Sequence, residues 1–246
     1  MVTKQHRAII TRKNIVSLSL LLITTILLSA CGDSDDERVT PQRRVFVTNI
    51  TDNVVLRFES QTGTFLDTFA SGGGVAHPSG LTFGPDGNLY VLSLLTKKVV
   101  RFDGQRGTFL DIFVEPASGG LTAPNFMIFG PDGHLYAISF GTNSVLRYNG
   151  RTGAFLNTFV PSNSGGLAGA FGLAFGPDNH LYVSSSTTNS VLRYDGRTGA
   201  FLDTFVASGS GGLELPVGLV FGPDGRLYVA SRSTHSVRRY DGQTGA

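Results

Sequence analysis

An all-β fold assembled by repetition is predicted by three observations. The phrase FGPD opens at Phe83, Phe129, Phe175 and Phe221, a fixed period of 46 residues. Between its occurrences stand short aromatic and β-branched runs, broken at close intervals by Gly, Pro, Asn or Asp. Charged residues make up only 15% of the chain while Gly numbers 32, which suits many tight turns and excludes a disordered tail. A period in this range points to a solenoid or a propeller before any other architecture.

Each unit resolves into four strands. In the copy that ends near residue 212 these are GLAF (172–175), LYVSS (181–185), SVLRYD (190–195) and AFLDTFV (200–206). The first turn follows from its residues. Pro85 presets φ for a type I turn, Asp86 can bond back to the chain, and Gly87 accepts a left-handed conformation. Asn179, the next most tolerant residue, replaces that Gly in one copy. Asp86, Asp132, Asp178 and Asp224 therefore read as turn formers rather than metal ligands or acids.

The third strand is apolar on both sides, with Val191 and Arg193 facing one way and Leu192 and Tyr194 the other. Such a strand needs cover on both faces. Small sheets stacked face to face about an axis supply it, so the expected architecture is a β-propeller of four-stranded blades. The copies at 129–166 and 175–212 differ at nine of 38 positions, which leaves no doubt about register, and a looser copy starts at Val45. The arginines at 57, 101, 147, 193 and 239 recur once per unit. They read as structural, stems packed between blades and heads at an edge, with a ring-shaped anion site as the sharper alternative. The strands amount to about 4.5 blades, so the expectation is part of a larger ring; an open crescent closed by oligomerisation is the alternative.

The strings Asp86-Gly87, Leu89-Tyr90-Val91, Arg101-Phe102, Gly107, Phe109-Leu110 and Pro78-Ser79-Gly80-Leu81 resemble the NHL repeat, and the resemblance covers residues 45–246. It implies a propeller, usually of six blades. The function it implies is open among binding modules, extracellular sensor domains, and enzymes of the streptogramin lyase and gluconolactonase type. A lactonase-like enzyme of that family would hold a divalent cation with a Glu and amides at the inner channel. The inner strands here (GLTF, FMIF, GLAF, GLVF) carry no carboxylate. A lyase of that family would imply convergent His and acid residues from different blades, and only His77 and His235 stand near that region. No G-x-S-x-G, H-E-x-x-H or phosphate-cradling Gly motif is present.

The N-terminus carries a separate message. Lys4, Arg7, Arg12 and Lys13 precede the apolar run Ile15–Leu28, which is shorter than a spanning helix needs. Leu28-Ser29-Ala30-Cys31 resembles the lipobox of bacterial lipoproteins. The resemblance implies a signal peptide over 1–30, cleavage before Cys31 and lipidation of that sulfur. Residues 31–44 (CGDSDDERVTPQRR) are polar and aperiodic and read as a flexible tether, followed by the repeats at 45–246. Removal of the leader leaves 16 basic against 18 acidic residues, a balance that gives no reason to seek nucleic acid. The only Cys being lipidated, no internal disulfide is expected. The address is a bacterial cell envelope, extracytoplasmic and lipid-anchored.

Ligands of propellers usually meet the second-to-third strand loops and the linkers between blades. On that face the candidates are His77, Lys97, Asn125, Arg232 and His235, with His77 closest to the expected axis. His134 and His180 occupy a variable slot and read as solvated, and Asn53, Asn143 and Asn189 as loop residues bonding their own backbone. No catalytic residue, metal ligand or cofactor is assigned. The expected function is a membrane-anchored module that binds a protein, peptide or glycan; the alternative is a metal-dependent lyase or lactonase.

Overall fold

The computed structural model describes residues 43–246, so the signal peptide, Cys31 and nearly all of the tether lie outside the described residues. The FGPD turn closes as its residues dictate. The Gly87 N–H donates to the Gly84 carbonyl at 3.0 Å, and Gly87 sits at φ 76°. Asn179, in the same place, takes φ 61°.

These turns and their partners yield 18 strands in five antiparallel sheets among the described residues. Blade 1 holds β1 (Arg44–Asn49), β2 (Val54–Glu59) and β3 (Phe65–Ala70). Blade 2 holds β4 (Pro78–Phe83), β5 (Leu89–Ser93), β6 (Lys98–Phe102) and β7 (Phe109–Val114). Blade 3 holds β8 (Pro124–Phe129), β9 (Leu135–Ser139), β10 (Ser144–Tyr148) and β11 (Phe155–Val160). Blade 4 holds β12 (Ala170–Phe175), β13 (Leu181–Ser185), β14 (Ser190–Tyr194) and β15 (Phe201–Val206). Blade 5 holds β16 (Pro216–Phe221), β17 (Leu227–Ser231) and β18 (Ser236–Tyr240). Consecutive strands pair in order within each sheet, and β4, β8, β12 and β16 lie next to one another as the innermost strands. This is a β-propeller arrangement. The inner strand is two residues longer at its start than the GLAF string suggests, because Ala170 pairs with Ser185 across a bulge.

Each pair of neighbouring blades shares one core. Between blades 3 and 4, for example, Tyr136, Val145 and Phe159 meet Leu173, Leu181, Leu192 and Tyr194. Val191, on the opposite face of β14, packs instead with Leu219, Leu227 and Tyr240 of blade 5. The Phe of FGPD belongs to these seams. Phe129 lies edge-on to Tyr90 of blade 2 at 4.9 Å, Phe175 to Tyr136 at 5.1 Å, and Phe221 to Tyr182 at 4.8 Å. Such edge-to-face pairs add to burial of the rings, worth about 1.5–3 kcal/mol for each large side chain taken fully from water.

A polar ladder runs beside each seam. Tyr90, Tyr136, Tyr182 and Tyr228 donate their hydroxyls to Asp86, Asp132, Asp178 and Asp224 at 2.8–2.9 Å. Arg101 and Arg193 then grip Asp111 and Asp203 with two nitrogens each while lying over Phe113 and Phe205. The FGPD aspartates thus do more than form turns: they anchor the buried tyrosines. The guanidinium heads of Arg57, Arg101 and Arg193 are paired with carboxylates of their own blades, so these three do not stand as free cations for an anion. His134 and His180 also have structural work. Their Nδ1 atoms accept the Gly150 and Gly196 N–H groups at 3.2 and 3.3 Å, linking two turns of one blade rather than standing free in solvent.

Candidate ligand-binding face

The β1–β2, β5–β6, β9–β10, β13–β14 and β17–β18 loops are built around a residue with left-handed φ: Asn53, Lys97, Asn143, Asn189 and His235, all between 51° and 59°. Asn tolerates this conformation, and its side chain then reaches across the seam. Asn53 Oδ1 accepts the His77 N–H at 2.6 Å, Asn143 Oδ1 the Ala170 N–H at 3.0 Å, and Asn189 Oδ1 the Leu215 N–H at 2.8 Å. These side chains bond the linker of the next blade, not their own loop. They clamp the face on which ligand contact is expected.

His77 is half-buried in the linker ahead of β4, at φ 56°, and its Nδ1 is shielded from water with no hydrogen-bond partner. Asn125 sits on β8, and both polar atoms of its amide are likewise shielded and unpartnered. The Ser79 hydroxyl donates to the Pro124 carbonyl at 3.0 Å, which sets the segment after His77 directly beside the one that carries Asn125. The structure therefore groups these two candidates at the innermost strands. An amide that offers a donor and an acceptor, on a strand next to the one that follows His77, suits a ligand with amide or hydroxyl groups of its own.

The other three candidates are exposed. Lys97 takes the left-handed place in the β5–β6 loop, where its carbonyl accepts the Ala117 N–H at 2.9 Å. Arg232 and His235 share the β17–β18 loop. The Arg232 N–H donates to the Leu215 carbonyl at 3.2 Å, and the His235 N–H to the Arg232 carbonyl at 3.3 Å.

One feature of this face escaped sequence reasoning. Phe140, 44% exposed in the β9–β10 loop, meets Phe171 of β12 edge-on at 6.2 Å. The signal was present as variation within the repeat. The slot of Phe140 holds Leu94, Ser186 and Arg232 in other blades, and that of Phe171 holds Ser79, Asn125 and Val217. Slots that support the seam change little, whereas these two change in every copy. Among the described residues no group of three or more His, Cys, Asp or Glu side chains is placed to hold a metal ion.

The fold relates this chain to well-separated proteins. Virginiamycin B lyase from Staphylococcus aureus, solved with quinupristin, superposes with a TM-score of 0.60 at 17% identity, over 81% of this chain and 67% of the lyase. A gluconolactonase from Xanthomonas campestris gives 0.64 at 22% identity, over 83% and 70%. A chain of the nidogen/laminin complex gives 0.67 at 16%, over 82% and 73%. What they share with this chain is the propeller. No family model matches the chain, and no curated protein does.

Proposed function

We propose that this chain is a lipid-anchored, extracytoplasmic binding module of the bacterial envelope, and that its loop face takes a protein, peptide or glycan. The observation that carries the reading is the Asn125 amide, shielded on an innermost strand with neither polar atom bonded. A buried amide left without partners is costly, and a ligand that bonds it recovers that cost. His77 and the Phe140–Phe171 pair supply a further polar contact and an apolar platform on the same face. In this reading the described blades are five of a six-bladed ring, and Cys31 carries the lipid. Support for a protein ligand comes from the likeness in fold to a chain of the nidogen/laminin complex.

The test is a pair of arrays, one of glycans and one of peptides, probed with the full chain and with its N125L variant. Binding seen with the parent and lost in N125L supports the reading, and binding indifferent to N125L overturns the assignment of Asn125. Metal analysis of the purified protein separates this function from the lyase or lactonase alternative. Stoichiometric Ca, Mg or Zn argues for the enzyme.

A further inference from the structure

The seam between blades 4 and 5 breaks a packing rule that the other seams keep. Leu56, Val100, Leu146 and Leu192 stand at one repeat position, opposite Val47, Val91, Ala137 and Val183 of the neighbouring strand. In blades 2, 3 and 4 this residue is buried in the core shared with the preceding blade, at 0%, 2% and 2% exposure for Val100, Leu146 and Leu192. Blade 5 holds Arg238 there, opposite Val229. Other parts of the seam are built as elsewhere. The Tyr240 hydroxyl donates to the Ser210 carbonyl at 2.8 Å, as those of Tyr148 and Tyr194 do to Ser118 and Ser164. The core that blades 4 and 5 share is apolar and aromatic, with Val191, Phe205 and Leu213 among its members.

Arg238 is half-buried, and its Nε is shielded from water with no hydrogen-bond partner; its terminal nitrogens are not so shielded. Nη2 lies against Gly212, where a built Cβ would come within 3.1 Å of it, whereas the equivalent Gly120 and Gly166 have nothing within 4 Å. The carboxylates of these blades leave the charge unanswered. Asp178 and Asp203 are taken by Arg193, Asp224 by Arg226 and the Tyr228 hydroxyl, and Asp241 by N–H groups of its own turn. Among the described residues Arg238 enters no ion pair. A part-buried guanidinium without a partner is costly, and an aliphatic side chain fills the same place in four other blades. A position that breaks the local rule at such a cost marks a site of use.

We propose that the seam between blades 4 and 5 is an oxyanion site, in which Arg238 binds the carboxylate or phosphate group of a small ligand. Its stem lies between the blades, and its terminal nitrogens meet the ligand beside Gly212. The planar fork of an arginine matches two oxygens of either group, and the apolar surroundings strengthen the bond. The site is separate from the Asn125 amide and does not depend on the ligand proposed for the loop face.

Thermal unfolding of the full chain at pH 7 and fixed ionic strength tests this, with inorganic phosphate or acetate replacing chloride stepwise. The parent is compared with R238L, which installs the residue of blades 3 and 4. The control is R239L, which removes the exposed neighbour on the other face of β18. In chloride alone R238L should melt about 3 °C or more above the parent, because the unpaired charge is gone. Phosphate, acetate or both should raise the parent and R239L along a saturating curve, by about 3 °C or more at the plateau. R238L should show only the shallow, unsaturating drift that excluded salts give any protein. A plateau with phosphate alone points to a phosphoryl ligand, and one with acetate to a carboxylate. Equal responses of the parent and R238L overturn the site. A parent at least as stable as R238L in chloride overturns it too, since the charge would then carry no cost. Should R238L fail to fold, R238M, closer in length to arginine, carries the same expectations.

Discussion

Gly153 shows how closely the blades approach. At φ 73° it lies against the Phe113 carbonyl of the preceding blade, and a Cβ built there would fall inside the oxygen's van der Waals radius. Gly63 occupies the equivalent turn of blade 1 at φ 70° with nothing within 4 Å. G63A should therefore cost about 1–2 kcal/mol, the left-handed penalty alone. G153A should cost roughly twice that or more, because backbone must move as well. Urea unfolding of both variants measures the difference, and equal losses would contradict the packing. The buried tyrosines give a second residue-level prediction. Burial first, then bonding to Asp86, Asp132 and Asp178, pushes Tyr90, Tyr136 and Tyr182 up to about 12 from 10. The folded state thus holds these protons after the unfolded chain has released them. Stability should be fully present below pH 10 and decline between about pH 10 and 12. Tyrosinate absorbance, unobscured by Trp, should lag in the folded protein, and Y136F should flatten the decline.

At the scale of elements, the outer strand is held to its neighbour by the arginine ladder, and blade 3 carries a natural exception. Arg147 meets Asn157 with one bond at 3.2 Å, where Arg101 and Arg193 grip an aspartate with two nitrogens. N157D should restore the ion pair and raise stability by up to about 1 kcal/mol, less at high salt because the pair is part-exposed. An unchanged or lower urea midpoint would deny the ladder its role. The strands themselves were legible in the sequence, since Gly-Pro-Asp-Gly and the β-branched runs determine local geometry by short-range sterics. The partners of side chains across a seam were not. That Asn143 would bond Ala170 rather than its own loop depends on where the next blade sits, and local chemistry alone does not carry that information.

On the scale of the whole molecule, the repeat period and the two-sided apolar strands announced stacked blades, and four shared cores between five sheets follow. The candidate face was legible only in part. Counting strands placed His77 nearest the axis and Asn125 among the loop-face residues, whereas the pair of exposed Phe140 and half-buried Phe171 needed the fold to bring two variable slots together. The claim beneath the entire account is that the units turn about a common axis. Spin labels at Arg106, Arg151 and Arg197 in a C31S chain, measured pairwise by electron double resonance, test it directly. The account predicts equal distances for 106–151 and 151–197, with the 106–197 distance clearly shorter than the two laid end to end. A 106–197 distance equal to their total would mean a straight array, and the propeller would be wrong.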